Sequence, residues 1–123
     1  MQQVLWVGAG GFIGAVLRFG VSACLPSDRF SAGTLFVNTL GCFLIGAVAG
    51  WVGARGELDP QTRGLLIVGV LGSFTTFSAF GDEVVELAQV GRHLAAAGIV
   101  AAHLCLGLGA VVAGRALALF ALR

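Results

Sequence analysis

The chain has 123 residues, of which 58% are hydrophobic and 11% are charged, and its formal net charge is +1. Soluble domains carry about 45–50% apolar and about 25% charged residues, so a soluble fold of this length could not bury so much apolar side chain. The small net charge gives no basis for a nucleic-acid partner. The composition therefore predicts an integral membrane protein.

Four long stretches without charged side chains divide the chain. Each approaches the roughly 20 residues that a helix needs to cross a bilayer, although the first and third must borrow flanking residues. The stretches are Met1–Leu17, Phe30–Ala54, Gly64–Gly81 and Leu94–Gly114. We predict an all-α membrane protein in a single four-helix domain over 1–123, with spans at about 3–25, 32–54, 62–88 and 94–118.

The first span contains glycines that allow two interpretations. Gly8, Gly11 and Gly14 follow an apolar run, as in the phosphate-binding turn of dinucleotide-binding enzymes. That turn requires alternating strands and helices and an acid about 20 residues further on, whereas this chain offers only long apolar runs. We therefore predict that the protein is not an enzyme. The pairs Gly10-x-x-x-Gly14 and, in the second span, Gly46-x-x-x-Gly50 instead predict close helix packing in lipid.

Arg18, near the end of the first span, has two possible roles. A long basic side chain can extend its charge to the membrane interface. Alternatively, an arginine within a span faces a partner or water, and Arg18 would then form an anion-attracting vestibule or a structural ion pair.

The distribution of the arginines barely favours either orientation of the chain in the membrane. All seven basic residues are Arg, and four of them lie on the side of the two termini while three lie on the other side: Arg55, Arg63, Arg115 and Arg123 against Arg18, Arg29 and Arg92. Because the Lys/Arg bias of short loops sets orientation, two hypotheses remain. One is a weak preference for cytoplasmic termini, and the other is dual topology with antiparallel pairing. Four helices enclose a conduit poorly, so we expect an oligomer in either case.

Asn38 is a polar side chain well inside the second span. An amide facing lipid would be costly, so Asn38 must face protein or a wet path. Thr34 and Gly41 lie near the same helical face, one turn to either side. The sequence leaves open whether Asn38 links two helices or lines a polar path.

The third span collects hydroxyl groups around Gly72, and they are Ser73, Thr75, Thr76 and Ser78. Such a cluster predicts a helix that breaks at the bilayer centre, where unwound backbone is tolerated only if it is buried in protein or lines a cavity. A broken helix exposes carbonyl groups that can hold a cation.

Three phenylalanines, Phe74, Phe77 and Phe80, lie within or just after this hydroxyl cluster. Phe77 and Phe80 share a helical face, and their positive ring edges would favour a small anion if they pointed into a narrow path. Packing is the alternative, and for Phe74 we favour packing. The acids that follow are expected at the membrane surface: Asp82, Glu83 and Glu86.

Residues 95–114 of the fourth span carry His103 as their only strongly polar side chain. A lone histidine is most often a packing residue, and no second ligand stands at metal-binding spacing. The three cysteines, Cys24, Cys42 and Cys105, are scattered and are interpreted as small apolar packing residues.

Three segments, in this order, resemble the Fluc (CrcB) fluoride channels over essentially the whole chain. They are GGFIGAVLRF (10–19), GTLFVNTLGCFLIG (33–46) and GVLGSFTTFSAF (69–80). The resemblance implies a passive, fluoride-selective channel in the bacterial inner membrane that exports fluoride from the cytoplasm. It also implies an antiparallel, dual-topology homodimer with two separate pores.

The resemblance further implies roles for individual residues. A fluoride path would be lined by Asn38, Phe77 and Phe80, with Thr76 and Ser78 close to it and Glu83 near one end. A central structural sodium ion would be held by the main-chain carbonyl groups of Gly72 and Thr75. Arg18 matches the arginine of the first helix.

The fourth helix departs from the family pattern. Some members carry a serine-rich polar track there, whereas residues 95–114 contain neither Ser nor Thr. Either His103 replaces part of that track or the track is not essential here.

Two other classes remain as alternatives. A small dual-topology multidrug exporter would need an acid embedded in the membrane, and the acids near the third span follow its apolar run. A purely structural membrane protein would need no broken helix.

Overall fold

The computed structural model describes residues 1–25 and 32–123, and this part of the chain is helical, without strands. Six α-helices and one π-helical segment follow in chain order: α1 (Gln2–Cys24), α2 (Ala32–Arg55), α3 (Pro60–Arg63), π1 (Gly64–Leu71), α4 (Gly72–Phe74), α5 (Phe77–Gln89) and α6 (His93–Ala121). Arg29, counted above for orientation, lies outside the described residues.

The predicted all-α membrane class is confirmed. Within the described residues, four helical stretches are long and apolar enough to cross a bilayer: Gln2–Cys24, Ala32–Arg55, Pro60–Gln89 and His93–Ala121. We call them the first to fourth spans. Large apolar side chains remain exposed along all four, and the buried hydrophobic side chains among the described residues are few: Val37, Phe74, Leu87 and Ala96. Such a thin core is expected when lipid, rather than water, surrounds the helices.

The turns between spans begin and end at residues suited to them. The Asp59 carboxylate caps α3 by accepting hydrogen bonds from the backbone N–H groups of Gln61 and Thr62, each at 3.0 Å. Hydrogen bonding by the Thr62 side chain and then by its backbone N–H lowers the pKa of Asp59. Gly56 and Gly91, with φ of 102° and 77°, follow the ends of α2 and α5 in the left-handed conformation that glycine adopts without strain.

The first span packs against the first half of the third span. Gly10 and Gly14 are buried there, and a Cβ atom on either would collide with a backbone carbonyl oxygen, of Leu65 or Val70 respectively. The predicted close packing by the first glycine pair is therefore confirmed. Because this segment is helical throughout, it also lacks the strand and turn that a dinucleotide site requires.

The second span packs mainly against the fourth. A Cβ atom at Gly46 would collide with the Val111 carbonyl oxygen, and one at Gly50 would lie 2.7 Å from the Arg115 carbonyl oxygen. Gly114 of α6 makes the reciprocal approach to the α2 backbone. The second glycine pair thus also lies at a helix contact, as predicted.

The third span is interrupted about halfway along its length. Thr75 (φ −85°, ψ 156°) and Thr76 (φ −148°, ψ 115°) are extended, with α4 ending before them and α5 beginning at Phe77. The predicted break is confirmed: it lies at Thr75 and Thr76, within the hydroxyl cluster, whereas Gly72 itself is helical, with φ −64° and ψ −31°. Glycine permits a break without requiring one. The extended residue Thr76 instead has its backbone N–H and carbonyl bonded to the Asn38 side chain.

The first half of the third span also differs from the α-helix that the sequence predicts. Residues Gly64–Leu71 form a π-helix, in which hydrogen bonds reach five residues back instead of four. Its apolar sequence, GLLIVGVL, suits an α-helix equally well, so composition contains no signal for the wider turn.

We expect Gly46→Ala to destabilise the folded protein by about 1–3 kcal/mol, because the added methyl group must displace the backbone of α6. The matched control is Gly53→Ala in the same helix, where an added methyl group would meet no neighbouring atom within 4 Å. Thermal loss of the monodisperse peak in size-exclusion chromatography, measured in detergent, compares the two variants. Equal melting temperatures would contradict a tight α2–α6 contact.

Candidate functional site

Asn38 and Thr76 form a reciprocal pair of hydrogen bonds at the break in the third span. The Asn38 Nδ2 group donates to the Thr76 carbonyl oxygen at 3.0 Å, and the Thr76 backbone N–H donates to Asn38 Oδ1 at 2.8 Å. The side-chain amide thereby satisfies both backbone groups of an extended residue at membrane depth. Since the amide has two N–H groups, one of them remains for another acceptor.

The helical face of α2 that carries Asn38 is directed at the third span over about two turns. Thr34, which is 6% exposed, donates from its hydroxyl to Glu83 Oε1 at 2.6 Å. A Cβ atom at Gly41 would collide with the Thr75 methyl group. The predicted shared face of Thr34, Asn38 and Gly41 is therefore confirmed, and all three face protein.

The hydroxyl groups around the break bond mainly to nearby backbone. Thr75 Oγ1 donates to the Leu71 carbonyl oxygen at 3.1 Å. Thr76 Oγ1 caps α5 by accepting from the Ala79 N–H at 3.2 Å, and it lies 3.1 Å from the hydroxyl of Ser78. These groups end one helix and begin the next, which is the usual reason for threonine at such positions.

Two carbonyl groups at the break lose their helical donors. In a continuous α-helix, the Gly72 carbonyl would accept from the Thr76 N–H, and the Thr75 carbonyl from the Ala79 N–H. The Thr76 N–H instead donates to Asn38, and the Ala79 N–H donates to the Thr76 hydroxyl. Both carbonyl oxygens are thus available to another partner, and carbonyl oxygens are typical ligands of hard cations. The resemblance implied sodium at these same two carbonyls.

A cavity of about 510 Å³, here called the central cavity, lies beside the break. Six of the predicted site residues line it: Asn38, Gly72, Thr75, Thr76, Phe77 and Phe80. The cavity opens at the surface of the single chain, where 82% of Phe77 is exposed. The fold therefore brings together residues that are up to 42 positions apart in sequence.

A row of aromatic rings runs along one side of the central cavity. The Phe77 and Phe80 ring centroids are 5.4 Å apart, with the planes at 64°, an edge-to-face arrangement. The His103 ring lies next to Phe80, at a centroid distance of 4.3 Å. Phe74, by contrast, is 5% exposed, so its interpretation as a packing residue is confirmed.

A second cavity, of about 390 Å³, lies beside the start of α2, the middle of α5 and the first third of α6. Glu83 and His103 are its polar lining residues, and the rest of the lining is apolar. His103 lines the central cavity as well. The sequence marked His103 as a lone polar side chain but could not place it at these cavities, because its position depends on how α5 packs against α6.

Two of the predicted site residues lie away from the cavity walls. Ser78 is exposed and bonded to Thr76. Arg18 is half-buried on α1, lines neither the central nor the second cavity, and forms no hydrogen bond or ion pair within residues 1–25 and 32–123.

The fold and the site define a class: a helical, multi-pass membrane protein whose third span is broken beside a cavity lined by uncharged polar, aromatic and aliphatic side chains. The chain belongs to the CrcB-like protein family (Camphor Resistance, CrcB), whose family model matches residues 5–115.

Relatives similar along nearly the whole chain carry a more specific name, fluoride-specific ion channel FluC. The protein of that name from Rhizobium meliloti (strain 1021) is 41% identical over 120 residues, which cover 95% of this chain and 96% of the relative. The one from Aeromonas salmonicida (strain A449) is 42% identical over 117 residues, 93% and 94% of the two chains. The one from Shewanella woodyi is 39% identical over 120 residues, 95% and 96%.

We expect Asn38→Ala to destabilise the protein by about 2–4 kcal/mol, because it leaves a backbone donor and acceptor of Thr76 unpaired. The control, Thr75→Val, removes a hydroxyl that bonds only to the nearby Leu71 carbonyl oxygen and should cost under about 1 kcal/mol. Thermal unfolding of both variants in detergent measures the difference. An Asn38→Ala variant as stable as the control would show that the amide does not hold the break.

Proposed function

We propose that this protein is a passive, fluoride-selective channel of a bacterial inner membrane, which exports fluoride from the cytoplasm and lowers its toxicity. The single observation that carries the proposal is the central cavity, in which the Asn38 amide and the Phe77 and Phe80 rings meet beside a helix break. The names of the relatives point to the same ion. Ion conduction requires no catalytic residue, so an enzymatic role is not proposed.

The chemistry of the cavity suits a small, strongly hydrated anion. Fluoride gives up its water only if several donors replace that water at close range. The free N–H of Asn38 and the positive edges of the two phenylalanine rings are such donors, and the hydroxyls of Thr76 and Ser78 lie nearby. All of these groups are uncharged, so they can hold the ion without trapping it.

The lateral opening of the central cavity supports an antiparallel homodimer of dual topology. In a single chain, Phe77 and the half-buried polar groups of the break would face lipid, whereas unwound backbone at that depth must be buried in protein or line a wet path. A second, inverted copy placed on this opening would cover both breaks about a two-fold axis. The nearly even division of the arginines fits insertion in both orientations.

A structural sodium ion is proposed at the centre of that dimer. The carbonyl oxygens of Gly72 and Thr75 fit such an ion, because both have lost their helical donors, and Gly72 is exposed on the side of the break. Two copies would supply the several oxygen ligands that a hard cation needs. The ion would fix the dimer geometry and add one central positive charge.

Two further roles are proposed at the ends of the path. Glu83, which accepts a hydrogen bond from Thr34, would lie near one end of the fluoride path. Arg18 would attract anions toward the path or pair with an acid. A small multidrug exporter is not favoured, because the family membership gives it no support.

Efflux from liposomes containing the purified protein tests the proposed function. With an ionophore to remove the voltage, we expect fast release of fluoride, measured with an ion-selective electrode, and no release of chloride above that of protein-free vesicles. Failure to release either ion from a dimeric preparation would reject the channel function.

The same assay tests the path residues. Phe80→Ile removes a ring edge and Asn38→Asp adds a negative charge to the path, and each should lower fluoride flux at least about tenfold. Phe120→Ile, at an exposed position near the end of α6, is the matched control and should conduct normally. Control-like flux in either path variant would remove that residue from the path.

Sodium dependence tests the proposed metal. Exchange of Na⁺ for a large organic cation, N-methyl-d-glucamine, should lower the dimer fraction in detergent, as measured by size-exclusion chromatography with light scattering. Return of Na⁺ should restore the dimer. A dimer fraction that is the same in both cations would exclude a structural sodium ion.

A further inference from the structure

Three cavities follow one another along α2. The second cavity is lined by Ala32 and Leu35, and the central cavity by residues from Asn38 to Ile45. A third cavity, of about 190 Å³, is lined by residues from Ile45 to Val52. These lining positions recur mostly every three or four residues, so successive ones are neighbours on the helix. Ala32 and Val52 are 20 positions apart, which in an α-helix corresponds to about 30 Å, the thickness of the hydrocarbon core.

The third cavity adjoins the central cavity. Ile45 of α2 and Ile67 of π1 line both of them. At its other end the third cavity reaches the turn between the second and third spans, where Glu57 and Arg63 line it. Glu83 accepts its hydrogen bond near the start of α2, whereas this turn follows the end of α2. The two ends of the row of cavities therefore lie toward opposite sides of the membrane.

Arg63 provides a positive charge at this mouth of the third cavity. Its side chain is exposed and forms no hydrogen bond or ion pair within residues 1–25 and 32–123. Glu57 is exposed too and is the acid that lines the same cavity. Asp59, the other acid of the turn, does not line the cavity, and its carboxylate accepts from backbone N–H groups at the start of α3. The guanidinium, which cannot be deprotonated in a protein, is thus not contacted by a carboxylate of the described residues.

An exposed charge acts on a passing anion differently from a buried one. Water and salt screen it, so it raises the local concentration of anions without removing their hydration shell. A buried positive charge would instead hold a small anion too tightly for conduction. The position of Arg63 at an exposed mouth therefore suits the capture of a hydrated ion and not its long retention.

We propose that the third cavity is the end of the fluoride path on the side of the two termini, and that Arg63 forms an entry site there for small hydrated anions. Glu57 opposes this site, because its carboxylate repels the same ions. Selection among anions takes place further in, at Asn38 and the phenylalanine rings of the central cavity. This inference rests on the proposed function, and it adds a capture site at the end of the path opposite Glu83.

The experiment measures fluoride efflux from liposomes while the charge at the mouth is varied. The vesicles contain potassium fluoride and a potassium ionophore, and the sodium concentration is the same in all samples. Each protein is measured at ionic strengths of about 0.01 M and about 1 M, raised with a salt whose anion is too large for the path. Charges act over about 30 Å at the first ionic strength and about 3 Å at the second.

Four variants assign the effect to charge. At low ionic strength, Arg63→Gln should lower the fluoride flux about threefold and Glu57→Gln should raise it about twofold, because the local anion concentration follows the potential. Arg63→Lys keeps the charge and should conduct like the wild type. The matched control is Arg55→Gln, at an exposed arginine that ends α2 and does not line the cavity. At high ionic strength all four should agree with the wild type within about 1.5-fold, and chloride should be excluded throughout.

A second pair of variants tests the route. Ala49→Trp places an indole in the third cavity, which Ala49 lines. It should lower the fluoride flux at least about fivefold at either ionic strength, because it narrows the path itself. Ala54→Trp, at an exposed position of the same helix that does not line this cavity, should conduct normally.

The outcomes separate this inference from the proposed function. Selective wild-type flux, with Arg63→Gln equal to Arg55→Gln at low ionic strength, would overturn the entry site and leave the channel in place. A loss in Arg63→Gln that persists at high ionic strength would also overturn it, since screening removes an effect of charge. Wild-type flux in Ala49→Trp would exclude the third cavity from the path. Absence of fluoride flux in the wild type at both ionic strengths would reject the channel and the inference together.

Discussion

The pair of hydrogen bonds between the Asn38 amide and the backbone of Thr76 is the interaction on which the site depends. Lipid offers no partner to an unpaired backbone group, so a transmembrane helix can be interrupted only where protein or a wet path satisfies the exposed groups. Asn38 does this with a side chain shaped like a peptide group. The extended residues at the break, the start of α5 at Phe77 and the opening of the central cavity all follow from it.

The single break in the third span exposes both hydrogen-bond acceptors, which suit a cation, and hydrogen-bond donors, which suit an anion. By taking the Thr76 N–H, Asn38 frees the Gly72 carbonyl oxygen, an acceptor that suits a cation. The amide keeps one N–H, and the Phe77 and Phe80 rings line the same cavity, a combination that suits an anion. The proposed sodium ion and the proposed fluoride path are therefore two consequences of a single break, and neither needs a charged side chain in the central cavity.

Several of these features follow from the sequence because they are local. The length of the apolar runs determines four spans, and small residues four apart determine where helices approach closely, as at Gly10 and Gly46. The helical repeat places Asn38 on one face with Thr34, whatever that face contacts. The hydroxyl cluster likewise predicted a break in the third span, and motif similarity identified the family.

The tertiary structure decided where the break lies and what surrounds it. The extended Thr76 is hydrogen-bonded to Asn38, 38 positions earlier in the chain, so local preferences could place the break within the hydroxyl cluster but could not select the residue. The packing of α5 on α6 likewise brings His103 beside Phe80 and leaves Nε2 buried without a partner among the described residues. Both results depend on hydrogen bonds and contacts between distant segments, which no pattern within one helix can specify.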